Sequence, residues 1–134
     1  MRRFKYFVAA LATCSILAIS CSKQHHSGDL EGTWEWVHTA GGIVFQVHTP
    51  ASTGKKIDLK FEGDKYYFYT NGAITSQGTF TLRTGNCIHD HEDKPIIDFS
   101  DPMIGDLMIE DPITDHLSLS DNAHDGTASL YKRK

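Results

Sequence analysis

The densest run of chemically capable side chains in this 134-residue chain is Cys87-Ile88-His89-Asp90-His91-Glu92-Asp93. If the run is extended, Cys87, His89 and His91 project to one face at intervals of about 6.6–7 Å. A thiolate and two imidazoles suit zinc or copper, with Glu92 or Asp93 nearby as a further oxygen ligand. The competing reading is a solvated loop, polar because it is exposed, set between Gly85-Asn86 and Lys94-Pro95. The flanking residues favour the loop. No metal or other cofactor is therefore expected, and Cys87, His89 and His91 stand as the metal candidates.

Other chemistry is thinner. Asp121-Asn122-Ala123-His124-Asp125-Gly126 faintly resembles a calcium loop, but Ala123 fills a ligand position and Lys132 stands where the bidentate glutamate belongs. It reads better as a hairpin turn built on Asx and glycine chemistry. No Gly-x-Ser-x-Gly, HExxH, CxxC or phosphate-binding glycine loop occurs. The carboxylates Asp98, Asp101, Asp106, Glu110, Asp111 and Asp115 are spread over turns, and no spacing singles out an acid–base pair. His38, His48 and His116 lie on strand-like segments without a sequence partner. No catalytic residue is assigned, and an enzyme is not expected.

The elements that must position these residues are short strands. Thr33 to Thr39 alternates, with Trp34, Trp36 and His38 on one face. Gly41-Gly42 turns the chain, Ile43 to Thr49 is a second β-rich run, and Pro50 to Gly54 is a loop. Ile57 to Glu62 is the cleanest strand, and Lys65 to Thr70 returns carrying Tyr66, Tyr67, Phe68 and Tyr69. Asn71-Gly72 is a strong hairpin signal, because both turn positions need positive φ. Ala73 to Arg83 pairs back, with Ile74, Phe80 and Leu82 inward and Gly78 as a bulge or bend, until Thr84-Gly85-Asn86 breaks the run. Ile96–Phe99, Asp106–Glu110, His116–Ser120 and Ala128–Lys132 supply four more. Eight or nine such strands in one small domain predict an all-β fold, and a closed barrel removes the edges a sandwich would leave.

Ahead of the domain, Met1-Arg2-Arg3-Phe4-Lys5 precedes an apolar run from Tyr6 to Ile19. That is the pattern of a secretory signal, and the run is too short for a comfortable transmembrane helix. Leu17-Ala18-Ile19-Ser20-Cys21 resembles the lipobox of bacterial lipoproteins, with Leu11-Ala12-Thr13-Cys14 as the less favoured alternative. The resemblance implies a signal peptide over 1–20 and a membrane anchor of acyl chains, such as palmitate, on Cys21. Residues 21–29 then form the lipidated cysteine and a flexible tether. Ser22 after the cysteine resembles the pattern that permits sorting to the outer membrane. The expected location is there, facing the periplasm, with the cell surface less supported.

Removing residues 1–20 takes away three basic residues and no acidic ones, leaving 10 Lys+Arg against 17 Asp+Glu. A net charge near −7 argues against a nucleic-acid partner, which needs clustered basic residues. With Cys14 in the leader and Cys21 lipidated, Cys87 is alone, so no disulfide framework is expected.

Gly32-Thr33-Trp34 is similar to the Gly-x-Trp motif that opens lipocalins, and Ser129-Leu130-Tyr131-Lys132-Arg133 resembles their last strand. The Thr53-Gly54-Lys55 loop, the Lys-Tyr-Tyr strand and the Ser120-Asp121-Asn122 turn look like small lipocalin-like lipoproteins of Gram-negative bacteria. The resemblance implies an antiparallel up-and-down β-barrel of about eight strands over 30–134, with Arg133 packing across Trp34 at the closed end. It also implies a small hydrophobic or amphipathic ligand, with Trp36, Phe45, Phe61, Phe68 and Phe80 as lining residues. The rival expectation is a barrel filled by its own side chains, contacting another envelope protein through loops 84–95 and 49–56.

Overall fold

The computed structural model describes residues 27–134. One helical turn, α1 (Ser27–Leu30), leads into β1 (Gly32–Gly41), β2 (Gln46–His48) and a second single turn, α2 (Pro50–Thr53). Seven strands follow: β3 (Ile57–Glu62), β4 (Lys65–Thr70), β5 (Ala73–Asn86), β6 (Asp93–Phe99), β7 (Asp106–Ile109), β8 (His116–Ser120) and β9 (Thr127–Arg133). All neighbours pair antiparallel in the order β2-β1-β3-β4-β5-β6-β7-β8-β9, and β1 also pairs with β9. That last ladder, from Trp34↔Arg133 to Gly41↔Thr127, closes an eight-stranded barrel. β2 is the extra strand, a short flap on the far end of β1.

Alternation builds the core. Trp34, Trp36, Leu59, Phe61, Tyr66, Phe80, Ile97, Phe99, Ile109, Leu117, Leu119 and Tyr131 come from every strand of the ring and share one buried cluster with Leu30. Aromatic rings meet edge-on at its centre: Phe61 and Phe80 centroids are 4.9 Å apart, Tyr66 and Phe99 4.8 Å. Glycine makes room for them. A Cβ on Gly78 would lie 2.2 Å from Ser100 Oγ and 3.2 Å from the Tyr66 ring. Gly78 is therefore a packing glycine, and the irregularity expected there lies instead between Ile74 and Ser76.

That displaced bulge corrects a second expectation. An extra residue in one strand inverts the facing of everything beyond it. Phe80 and Leu82 join the core, whereas Ile74, expected inward, is half exposed. β5 also continues through Thr84-Gly85-Asn86, where a break was expected, pairing as far as Asn86↔Asp93. Gly85 suits a strand here because Ile96 Cδ1 occupies the place of its Cβ, 2.4 Å away. The β-rich run 43–49 shortens to Gln46–His48 because residues 42–45 form the turn. Pro50 to Gly54 is a helical turn, with a Thr49–Ser52 capping box and a left-handed Gly54 cap.

Candidate functional site

Gly32 has φ +117, a conformation that leaves open the space where a side chain would meet the Arg133 guanidinium at 3.2 Å. Arg133 uses that space. Its guanidinium carbon sits 4.1 Å from the Trp34 ring centroid, and its Nη1 and Nη2 donate to the carbonyls of Glu31 and Asp29 at 2.6 and 2.9 Å. The Trp34 indole N–H donates to the Leu30 carbonyl at 2.8 Å. The first strand, the last strand and the incoming chain are thereby tied at one end of the barrel. Trp34 is fully buried and its polar tip is satisfied.

The expected lining residues separate into two groups. Trp36, Phe61 and Phe80 are buried in the central cluster, with Phe68 packed against it. Trp36 donates from its indole to Thr39 Oγ1 at 2.9 Å, and Thr39 in turn meets Ser129 Oγ at 2.6 Å. Burial pushes the buried Tyr131 phenol up to about 12, against a smaller opposing hydrogen bond to Ser129. Phe45 is elsewhere: it lies 73% exposed in the β1–β2 turn, away from the lumen, because residues 42–45 leave the barrel wall before β2 begins.

The polar run at 87–93 is a hairpin loop folded back on itself. Cys87 N–H donates to the Glu92 carbonyl at 2.8 Å, and His91 N–H to the Cys87 carbonyl at 2.9 Å. His91 takes φ +61 to complete that turn. The extended arrangement expected for metal binding is absent, so Cys87, His89 and His91 do not share a face. Cys87 points inward, fully buried with Ile96 and Met108 in a second cluster outside the barrel lumen, while His89 and His91 are exposed. Among the described residues no three His, Cys, Asp or Glu side chains converge as metal ligands.

Ion pairs hold this loop. Lys94 Nζ lies 2.6 Å from Asp90 and 2.7 Å from Glu110, and Ser120 Oγ donates to the other Glu110 oxygen. The Lys94 hydrogen bond, with a backbone bond from Glu92, lowers the Asp90 carboxyl to about 2. Burial pushes Glu110 up, but hydrogen bonds from Lys94 and Ser120 and the Lys94 charge together hold it below its ordinary value. Bonds to Asp90 and then Glu110 raise Lys94. The loop is also stitched to the β8–β9 connection: Ile88 N–H donates to Asn122 Oδ1, and Asn122 Nδ2 to the Asn86 carbonyl, both at 2.9 Å. Between these loops lies a surface cleft of 290 Å³, with His89 and His124 edge-on at 6.3 Å and Glu110, Ser120 and Asp121 in its wall. Two of the carboxylates expected to be dispersed also gather: Asp98 and Asp106 both bind Arg83, at 2.9 and 2.7 Å.

The surface feature that the sequence reading missed is apolar. Ile43, Val44, Phe45 and Val47 are 87%, 74%, 73% and 51% exposed, and Ile74 and Met103 are also exposed. They sit on the β1–β2 turn and β2, at the start of β5, and in the β6–β7 connection. In an up-and-down barrel those positions share one end, opposite the Trp34–Arg133 plug. Four apolar residues within a five-residue run beside Gly41-Gly42 were the available signal. Reading them as a strand hid it. Cys21 and the signal segment lie outside the described residues. Comparison with protein-family models, with curated proteins and with solved structures finds no match for this chain.

Proposed function

We propose that this protein is a non-catalytic interaction module of the cell envelope, anchored through lipid on Cys21, whose barrel serves as a rigid stand for its loop-bearing end. One observation supports the reading: most of the side chains expected to line a ligand chamber pack into one core cluster. Trp36, Phe61, Phe80 and Phe99 are all buried and belong to one contiguous cluster. A carrier needs a mostly preformed apolar cavity. A small eight-stranded barrel, by contrast, can be packed by its own side chains.

The leader and Leu17-Ala18-Ile19-Ser20-Cys21 support the anchor, and Ser22 after the cysteine supports a position at the outer membrane facing the periplasm. Recognition then falls to the surface, where the exposed large apolar side chains among the described residues gather at the end opposite the plug.

The two tryptophans of the chain both lie in the barrel, so they report on its lumen. Titration with brominated fatty acids, which quench indole at contact, is expected to leave tryptophan emission unchanged. Saturable quenching would overturn the module and restore the ligand carrier.

A further inference from the structure

We infer that the β1–β2 hairpin is a self-association surface, and that its occupant is the same hairpin of a second copy. The inference deepens the interaction-module reading and rests on it. β2 is the end strand of the sheet order, so among the described residues the side of Gln46-Val47-His48 turned away from β1 is an open edge. All three residues are exposed. An open strand edge is a template for another strand, and next to it stand Ile43, Val44 and Phe45 with their side chains in solvent.

Three considerations choose the occupant. A bilayer fits poorly, because the free N–H and C=O groups of an open edge go unsatisfied in hydrocarbon. Charge comes next. The chain carries 17 acidic residues, yet no Asp, Glu, Lys or Arg occurs between Glu35 and Lys55. Two copies of an acidic domain repel across most of their surfaces and can approach without that penalty through this neutral face. Nor does the face offer any formal charge by which to select an oppositely charged partner. Symmetry completes the case: an antiparallel strand pair about a two-fold axis is self-complementary, with Val47 facing Val47 of the second copy and Gln46 facing His48.

Size sets the strength. Each large aliphatic or aromatic side chain contributes on the order of 100 Å². Ile43, Val44, Phe45 and Val47 therefore supply about half of the ~800 Å² that each partner gives to a standard interface. Uncharged exposed neighbours such as Gln46 supply more. The expected dimer is reversible, in the micromolar range, and gains effective concentration wherever the chain is confined to a membrane surface.

The test uses the full chain and two readouts. Val47→Cys places two thiols across the two-fold axis at a separation a disulfide can span, and should yield a covalent dimer on mild oxidation in the envelope. Lys65→Cys, exposed at the start of β4, should remain monomeric. In detergent, sedimentation should show a concentration-dependent twofold rise in protein mass. Phe45→Asp should weaken that association at least about tenfold while leaving the unfolding midpoint unchanged, since Phe45 lies outside the core. A protein that stays monomeric, with no Val47→Cys dimer, overturns the inference, as does binding of the hairpin to protein-free vesicles without self-association. Neither result touches the filled barrel, which fails if tryptophan quenching reports a lumen ligand.

Discussion

Trp34 and Arg133 lie at opposite ends of the barrel's chain and in one ladder position, with the guanidinium carbon 4.1 Å from the indole centroid. Three links act together here: the cation over the ring, the fork of Arg133 on two carbonyls, and the indole N–H on a third. They join β1, β9 and the segment before β1, so the barrel is closed by side chains as well as by its ladder.

Trp34→Ala should therefore cost about 3–5 kcal/mol in urea unfolding, the range for a buried aromatic truncated in a core. Arg133→Met should cost about 1–3 kcal/mol, from the lost ring contact and two charge-assisted bonds. Arg133→Lys should recover less than half of that loss, because an ammonium has no planar fork. The double variant should fall short of additivity. Additive losses would mean the two side chains act independently.

Gly41 is constrained twice over. Its φ is +129, and a Cβ there would lie 2.3 Å from the Gly126 carbonyl oxygen, a backbone atom that cannot swing aside. Gly41→Ala should destabilise by about 3 kcal/mol or more, combining a left-handed penalty with an overpacked contact. Gly28→Ala, with nothing within 4 Å, should stay within about 0.5 kcal/mol. Equal midpoints for the two variants would contradict the close approach of β1 to the β8–β9 turn.

The Asp90–Lys94–Glu110 clamp predicts a pH dependence. Asp90 is lowered from 3.8 to about 2, and Glu110 lies below its ordinary 4.5, so both bind protons less readily folded than unfolded. The contribution of such carboxylates is complete above their unfolded values and is lost as pH falls through the folded ones. Protection of the buried Cys87 thiol from a disulfide reagent active in acid should stay flat from neutrality to about pH 5, then fall towards pH 2. Lys94→Met should flatten that step. A Cys87 that reacts equally fast at pH 7 and pH 3 would contradict the clamp.

The proposed filling of the lumen predicts how a made cavity would behave. Phe61 is almost fully buried against Phe80 and Phe99. Phe61→Ala should cost about 3–5 kcal/mol and leave an apolar void able to take a benzene-sized molecule, raising the melting temperature when one is added. The unaltered protein should show no such rise. A comparable rise in both would indicate a natural cavity.

The barrel was legible from period-two alternation, because Trp34, Leu59, Phe61, Ile97 and Leu119 each sit where their strand's pattern puts them. The bulge between Ile74 and Ser76 was not, since no residue type marks it and one inserted residue inverts a face. The polar run at 87–93 was correctly weighed as a loop, but its cysteine was not foreseen as a buried anchor. That outcome depends on Ile96 and Met108, brought over it by the pairing of β6 with β7. The apolar turn escaped notice because Ile43 to Val47 has the composition of a strand. Composition does not say whether a partner strand covers it.

The central claim is that the barrel holds no ligand. Native mass spectrometry of the chain from Ser22 onward, which contains all nine strands and both clusters, measures this after exposure to an envelope lipid extract. Whole multiples of the bare chain mass with no adduct are expected. A lipid-sized adduct on each chain, retained in gentle conditions and released on denaturation, would contradict it.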